Sequence, residues 1–140
     1  MPFNSLRQAI LDKIVSTETD IQEAHFEEVS TFDGSPAAVI GVSQNEALYN
    51  SQKIDRMTFV FQIRIYIPLK DETHTLETEE RMGKAFWDVL TMFNKRDALE
   101  GNADIVEPMP SVWGFEERGA GLYRFSEINL RCVVFLNQAS

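Results

Sequence analysis

Two histidines and one cysteine are the side chains of this sequence best suited to nucleophilic or acid–base chemistry. A Ser-His-Asp or Cys-His arrangement needs a histidine as the base and a third group that orients it. His25 stands beside Phe26 and two glutamates, which is typical of a surface strand, and His74 lies in a polar segment. Cys132 alternates with apolar residues, which is typical of a buried thiol. We therefore predict no catalytic residue and no enzymatic activity.

An acidic run over residues 71–80 is the one candidate metal site, because divalent cations take oxygen ligands. Its spacing lacks the alternation of a dedicated calcium loop, so a solvated helix N-terminus is the favoured interpretation. A single cysteine excludes a cysteine-based zinc site and an intrachain disulfide. We expect no metal and no cofactor; a metal-dependent enzyme is the less favoured alternative. The carboxylates of the run are Asp71, Glu72, Glu77, Glu79 and Glu80.

Composition limits the classes of protein that need to be considered. The chain has 140 residues, with 13 Lys plus Arg against 22 Asp plus Glu and a formal net charge of −9. This length predicts a single domain over residues 1–140. The acidic balance argues against tight binding of nucleic acid. No apolar run approaches the ~18 to 20 residues of a membrane helix, and the N-terminus lacks the pattern of a signal peptide.

The N-terminal elements must bury an apolar stripe. A helix is predicted from Ser5 to about Val15, because Leu6, Ile10 and Ile14 recur every four residues and Ser5 with Gln8 fits a capping box.

Short strands are predicted at residues 26–32 and 37–42, on either side of a turn. Residues 43–55 are polar and aperiodic, and we expect a long loop there.

The clearest pattern runs from Arg56 to Leu69, where apolar residues occupy alternate positions from Phe59 to Ile67. A period of two predicts a strand with one apolar face. Fourteen residues would span roughly 45 Å, so we expect one end to project beyond the core as an arm around residues 44–56.

The C-terminal half predicts a helix over residues 75–94, an extended segment over 105–110, and a hairpin of strands 112–118 and 122–136 around Gly119-Ala120-Gly121. The helix would bury Leu76, Met82, Phe86, Val89, Leu90 and Phe93. The element order is α, β, β, β, α, β, β. This order predicts an α+β fold: a single antiparallel or mixed sheet of about four strands, with two helices packed on one face.

Two features are not explained by a lone folded domain. One is the polar segment that leads into the long strand, and the other is the aromatic stretch over residues 107–118. Tryptophan and tyrosine carry much of the binding energy in protein interfaces. An equally weighted interpretation is that Trp113 and Phe115 cover one end of the core. The predicted contact residues are Asn45, Glu46, Leu48, Tyr49, Arg56, Trp113, Phe115, Glu116 and Arg118. Among these, Arg56 is expected to pair with Glu116 or Glu117 of a neighbouring subunit.

Taken in order, the segments of this chain resemble those of the tail terminator (tail-completion) proteins of long-tailed bacteriophages. The resemblance covers most of the chain, from the first helix to the last strand. The segments that carry it are Ser35-Pro36-Ala37-Ala38-Val39, Asn45-Glu46, the strand Phe59 to Ile67 with Pro68, Phe86-Trp87-Asp88-Val89-Leu90, Ala103 to Pro108, Trp113-Gly114-Phe115 and Ile128-Asn129-Leu130-Arg131.

The resemblance implies a small α+β subunit that forms a ring of six copies on the head-proximal end of the tail tube. Such a ring stops polymerisation of the tube protein and presents the surface that joins the neck or head connector. The genome DNA would pass through its lumen without specific binding, and no membrane is involved. The protein would be made in the host cytoplasm and reside in the virion tail. A neck, stopper or minor tail protein of the same machine is the nearest alternative, followed by a generic protein-binding module.

Overall fold

The computed structural model describes residues 2–16, 19–26, 32–50, 53–69, 73–95, 99, 101–119 and 121–135. Seven elements follow one another along the chain, in the predicted order of types. They are α1 (Pro2–Ile14), β1 (Glu23–His25), β2 (Ala37–Asn50), β3 (Lys53–Pro68), α2 (Leu76–Phe93), β4 (Ile105–Arg118) and β5 (Gly121–Phe135).

All five strands belong to one mixed sheet with the order β1-β2-β3-β5-β4. The short β1 pairs with β2 in parallel, and every other neighbouring pair is antiparallel. The predicted α+β class is confirmed, with five strands rather than about four. The additional strand, β1, has only three residues, too few to show a periodic pattern in the sequence.

Both helices pack on the same face of the sheet, which we call the helix face. The alternating residues of β3 from Phe59 to Ile67 are buried there against Leu6, Ile10 and Ile14 of α1 and Met82 and Val89 of α2. The predicted apolar face of this strand is therefore confirmed. The opposite face, which we call the outer face, also buries side chains of β3, since Tyr66 is fully buried and Val60 nearly so.

The helix α1 begins three residues earlier than expected. It starts at Pro2, a residue that is favoured in the first turn because its missing N–H has no partner in a helix anyway. Ser5 therefore lies inside the helix, and the predicted capping box is wrong. Gln8 instead donates a hydrogen bond to Asp12 Oδ1 at 2.8 Å.

The helix α2 begins with Thr75 as its N-cap, and the Thr75 hydroxyl accepts a hydrogen bond from Thr78 N at 3.2 Å. The expected burial of Leu76 is wrong, because its side chain is 75% exposed. Leu76 is the first residue of the helix and faces away from the sheet. No helix in the described part of the chain combines the length and apolar character needed to cross a membrane.

The expected long loop over residues 43–55 is wrong. Strand β2 continues to Asn50 and β3 begins at Lys53, so the two strands form a long hairpin that pairs as far as Asn50 with Lys53. Alternation in a sequence reports the burial of one face, whereas strand pairing depends on backbone hydrogen bonds. A polar, aperiodic segment can therefore still form a strand. Residues 51 and 52 lie outside the described residues.

The hairpin projects less than expected, because β5 flanks β3 up to the pair of Arg56 with Phe135. The strands of the sheet are nevertheless longer than the helices that cover it. The 16 residues of β3 span roughly 50 Å at the usual rise, whereas the 18 residues of α2 span roughly 27 Å. Val42, on the helix face of β2, is accordingly 43% exposed. We call residues 44–50 and 53–56 the hairpin tip.

The predicted strand over residues 26–32 lies mostly outside the described residues, which omit residues 27–31. At its two ends, Phe26 follows β1 in a bend and Phe32 belongs to no strand.

The predicted C-terminal hairpin is confirmed as β4 and β5, and Gly119 in the turn adopts a φ of 57°. The extended segment at residues 105–110 is part of β4. Gly114 allows a close approach, because a Cβ at this position would lie 2.9 Å from the Phe125 ring.

Candidate assembly surfaces

The outer face of the sheet carries a cluster of paired charges at the level of the β4–β5 turn. Arg64 donates from Nε to Glu127 Oε1 at 2.8 Å and from Nη1 to Glu116 Oε1 at 2.9 Å. Arg118 Nη1 donates to Glu116 Oε2 at 2.9 Å, and the Tyr66 hydroxyl donates to the same oxygen at 3.2 Å. Every charge in the cluster has an opposite partner. The cluster therefore links β3, β4 and β5 and leaves no charge free for a ligand.

Aromatic rings pack beside this charge cluster on the outer face. The Tyr66 ring centroid lies 5.4 Å from that of Phe32 and 6.1 Å from those of Tyr123 and Phe125. The guanidinium of Arg118 lies 4.7 Å from the Tyr66 ring centroid. Burial raises the pKa of the Tyr66 hydroxyl, so this group stays a hydrogen-bond donor. The aromatic rings and the charge cluster therefore pack together and stabilise the outer face.

The predicted contact segment of β4 is divided between the two faces of the sheet. Glu116 and Arg118 lie on the outer face, where both are bound within their own chain. Trp113 and Phe115 lie on the helix face, where they contact Phe86 and His74, respectively. The sequence placed these four residues together because they are neighbours along the chain, but alternation along a strand separates them.

Arg124 joins the two aromatic residues of β4 on the helix face. Its guanidinium lies 5.3 Å from the Trp113 ring centroid and 4.7 Å from that of Phe115. Its Nη1 also donates to the Gly114 carbonyl oxygen at 3.1 Å. Trp113 packs edge-on against Phe86 with centroids 5.2 Å apart and covers this end of the core. Phe115 remains 49% exposed, so only Trp113 fits the interpretation of both rings as core cover.

Glu79 fastens the first turn of α2 to the sheet. Arg124 Nε donates to Glu79 Oε1, and His74 Nε2 lies 2.7 Å from the same oxygen. The hydrogen bond from Arg124, and secondly the contact with His74, holds the pKa of Glu79 below its usual value. His74, which is exposed, therefore has a structural contact at the start of the helix.

Large apolar side chains are exposed along α2 and the adjoining β4. Leu76 is 75% exposed and Trp87 is 62% exposed on the helix, while Phe115 is 49% exposed on the strand. We call these three residues the α2–β4 surface. Exposed apolar residues are common singly, but a group of them marks an interaction site.

The opposite margin of the sheet is a strand edge that has no neighbouring strand among the described residues over part of its length. The strand β1 pairs with β2 only as far as Val39, and beyond that point no described strand lies along the outer edge of β2. We call residues 40–50 the β2 edge. The structure describes the backbone of residues 43–50, which includes four of the predicted contact residues. These four are Asn45, Glu46, Leu48 and Tyr49, and they pair with β3 on the inner side of β2.

The edge of β4 is blocked to further strand pairing over part of its length. Pro108 and Pro110 lie opposite Leu130 and Ile128 of β5, and proline occurs in an edge strand with its missing N–H directed away from the neighbour. The outward edge therefore lacks two donors, which is one of the ways that proteins protect sheet edges. The two margins of the sheet thus differ in chemistry.

Comparison with known proteins finds no matching family model and no significantly matching curated protein. The arrangement of side chains must therefore carry the functional argument.

The side chains first considered for chemistry are engaged in structure. His25 Nε2 lies 3.0 Å from Glu23 Oε1, and that carboxylate also accepts the backbone N–H groups of Asp33 and Gly34. Cys132 is fully buried, and burial raises its pKa to about 12. Within the described residues, no three His, Cys, Asp or Glu side chains are grouped to hold a metal ion; Asp71 and Glu72 lie outside them.

Sequence reasoning missed several residues that organise these surfaces. Arg64 and Glu127 stand at alternate strand positions typical of a solvated face, and only the strand register brings them together. Arg124 likewise meets Glu79 through packing of α2 on β5. Trp87 enters the sequence interpretation only through the resemblance. Its spacing of eleven residues from Leu76, about three helical turns, could have indicated a shared apolar side of the helix.

Proposed function

We propose that this chain is a structural subunit that closes into a ring, and that the ring ends the tail tube of a long-tailed bacteriophage on its head side. The observation that carries the proposal is the difference between the two sheet margins. One margin presents the unpaired backbone of the β2 edge and the hairpin tip. The other presents the apolar side chains of the α2–β4 surface beside a proline-protected edge.

Unlike margins favour contacts in which one surface of a subunit meets a different surface of its neighbour. Such heterologous contacts generate closed rings when the rotation between subunits closes, and open filaments when it does not. A dimer related by a twofold axis would instead need one self-complementary patch. The chemistry of the margins therefore supports a ring.

The charge of the chain suits the proposed position in the particle. With a formal net charge of −9, a ring of this subunit repels the phosphate backbone, so DNA could pass through a lumen without binding. The same ring would cover the last tube subunits and offer its other side to the neck or head connector. The support for this step is the resemblance in segment order together with the described margins.

Native mass spectrometry and negative-stain electron microscopy of the purified protein test the proposal. We expect closed rings, with six copies as the implied number. A phage that lacks the protein should produce tails with tubes of uncontrolled length, and supplying the protein should restore the normal length. A purified protein that stays monomeric, or tails of normal length without it, would contradict the proposal.

A further inference from the structure

The α2–β4 surface has a helix stripe at its centre. Positions 76, 83 and 87 fall on one side of α2, because seven and eleven residues are close to two and three full turns of 3.6 residues. Leu76 and Trp87 are the two most exposed large apolar residues of the described chain. Exposed tryptophans are characteristic anchors of protein interfaces.

Gly83 lies between these two residues. Among the described residues, a Cβ added at this position would meet nothing within 4 Å. Glycine is among the least favourable residues in a helix interior, yet no contact with the described residues requires it here. Its absent side chain leaves room for another chain to approach the helix backbone between Leu76 and Trp87.

Two exposed acidic residues lie close in sequence to residues of the α2–β4 surface. Glu80 is exposed on α2 beside Gly83, and Glu117 is exposed on β4 two residues after Phe115. Neither carboxylate has an ion pair or a side-chain hydrogen bond among the described residues. We call this pair the acidic rim. An occupant of the surface should therefore combine apolar side chains with a positive charge.

Arg56 is a cation of this chain that could fill that role. Arg64, Arg118 and Arg124 are all ion-paired within the chain. Arg56, by contrast, makes no ion pair or side-chain hydrogen bond with the described residues. It lies on β3 opposite Leu48 in the hairpin tip, close in sequence to Lys53 and Tyr49.

We propose that the α2–β4 surface receives the hairpin tip of a second copy of this chain, with Arg56 of that copy facing the acidic rim. This inference rests on the proposed ring and specifies the contact between neighbouring subunits, which we call the joint. The tip covers Leu76 and Trp87, and Gly83 admits the close approach. Because the tip and the surface lie on different margins, each subunit gives one contact and receives one.

Charge reversal tests the joint. The variants are Arg56→Glu and a rim variant that combines Glu80→Lys with Glu117→Lys. We expect each variant alone to lose the ring, because like charges then face each other at every joint. An equimolar mixture of the two should regain rings of even copy number, because alternating subunits restore opposite charges at every joint. A charge-matched control, Asp12→Lys with Asp33→Lys, changes exposed acids elsewhere and should keep the ring.

The possible outcomes separate this inference from the proposed function. Rings that persist in the rim variant, or a mixture that fails to regain them, would overturn the joint while leaving a ring-forming subunit. A wild-type protein without rings would overturn the proposed function first.

Fluorescence provides an independent measurement of the apolar contact. The chain has two tryptophans, so Trp113→Phe leaves Trp87 as the sole reporter and keeps an aromatic ring against Phe86. We expect the emission of Trp87 to shift to shorter wavelength in the ring, relative to the same background carrying Arg56→Glu. Identical emission from ring and monomer would overturn the contact at Trp87.

Discussion

Glu116 and Arg118 are predicted contact residues that the structure engages within their own chain. Glu116 accepts hydrogen bonds from Arg64 and Arg118, and removing one member of a partly buried ion pair leaves the other charge without its partner. Alanine at Glu116 or Arg118 would therefore confuse loss of folding with loss of assembly. Glu117 is the better probe of a neighbouring subunit, because it is exposed and bound to nothing in the described chain.

The alternation of β3 gives a direct test at the residue scale. Ile63 is fully buried on the helix face, and Ile63→Ala should lower the free energy of unfolding by about 2–5 kcal/mol, as truncation in a core does. The neighbouring Gln62 is partly buried on the outer face, and Gln62→Ala should change it by no more than ~0.5 kcal/mol. Urea denaturation of both variants measures the difference. Equal losses would contradict the assignment of faces.

A second residue-scale prediction concerns Glu23 and pH. The hydrogen bond with His25, and also those from the backbone N–H groups of Gly34 and Asp33, holds the pKa of Glu23 below its ordinary value of 4.5. A carboxyl whose pKa is lower in the folded state stabilises the fold above its unfolded pKa and loses this effect as the pH falls through its folded pKa.

We therefore expect Glu23→Gln to lower the melting temperature at pH 7, and the difference from wild type to shrink as the pH falls below 4.5. Thermal denaturation across this range measures it. The control is Asp12→Asn, which removes one exposed acidic charge elsewhere on the chain. A gap for Glu23→Gln that is constant across this range would contradict the linkage.

At the scale of the element, one side of α2 packs against the sheet and the opposite side is exposed. Met82, Ala85 and Val89 are fully buried against the sheet, whereas Gly83 faces open space. Gly83→Ala should raise the free energy of unfolding of the subunit by up to about 1 kcal/mol, because alanine is the better helix former. Chemical denaturation measures the change.

Gly114→Ala is the matched control for that prediction. Its new methyl group would meet the Phe125 ring at 2.9 Å, so this substitution should destabilise the subunit. A loss of stability in Gly83→Ala as well would show that position 83 is packed rather than open.

The elements that the sequence predicts best are those in which the spacing of apolar residues reflects burial in the core. Alternation from Phe59 to Ile67 and the four-residue repeat of Leu6, Ile10 and Ile14 both reflect contact with one core. The β2 edge leaves no such record, because its strand is formed by backbone pairing. The short β1 is likewise below the length at which any period is visible.

The candidate surfaces were predictable only in part, for a related reason. Trp113 and Phe115 could be singled out by residue type, since aromatic residues are characteristic of protein interfaces. Their separation from Glu116 and Arg118 follows from strand alternation once β4 is known to be continuous. The ion pairs of Arg64 depend on the register between strands that are far apart in the sequence, and a single sequence does not contain that register.

At the scale of the whole molecule, the hairpin tip can be separated from the core. Ala47 and Met57 are paired across β2 and β3, so an Asn-Gly turn in place of residues 48–56 would close a shorter hairpin. We expect a folded subunit that forms no ring, because the core residues from Phe59 onward are retained. Circular dichroism and light scattering measure the two properties. Rings that form without the tip would contradict its role in assembly.

The fully buried thiol of Cys132 determines how the protein responds to a change of redox surroundings. Disulfide exchange and oxidation act on an accessible thiolate, and a pKa of about 12 leaves almost none at neutral pH. The chain has no second cysteine. We therefore expect Cys132 to form no disulfide with another copy of the chain, either in a reducing cell or in an oxidising medium.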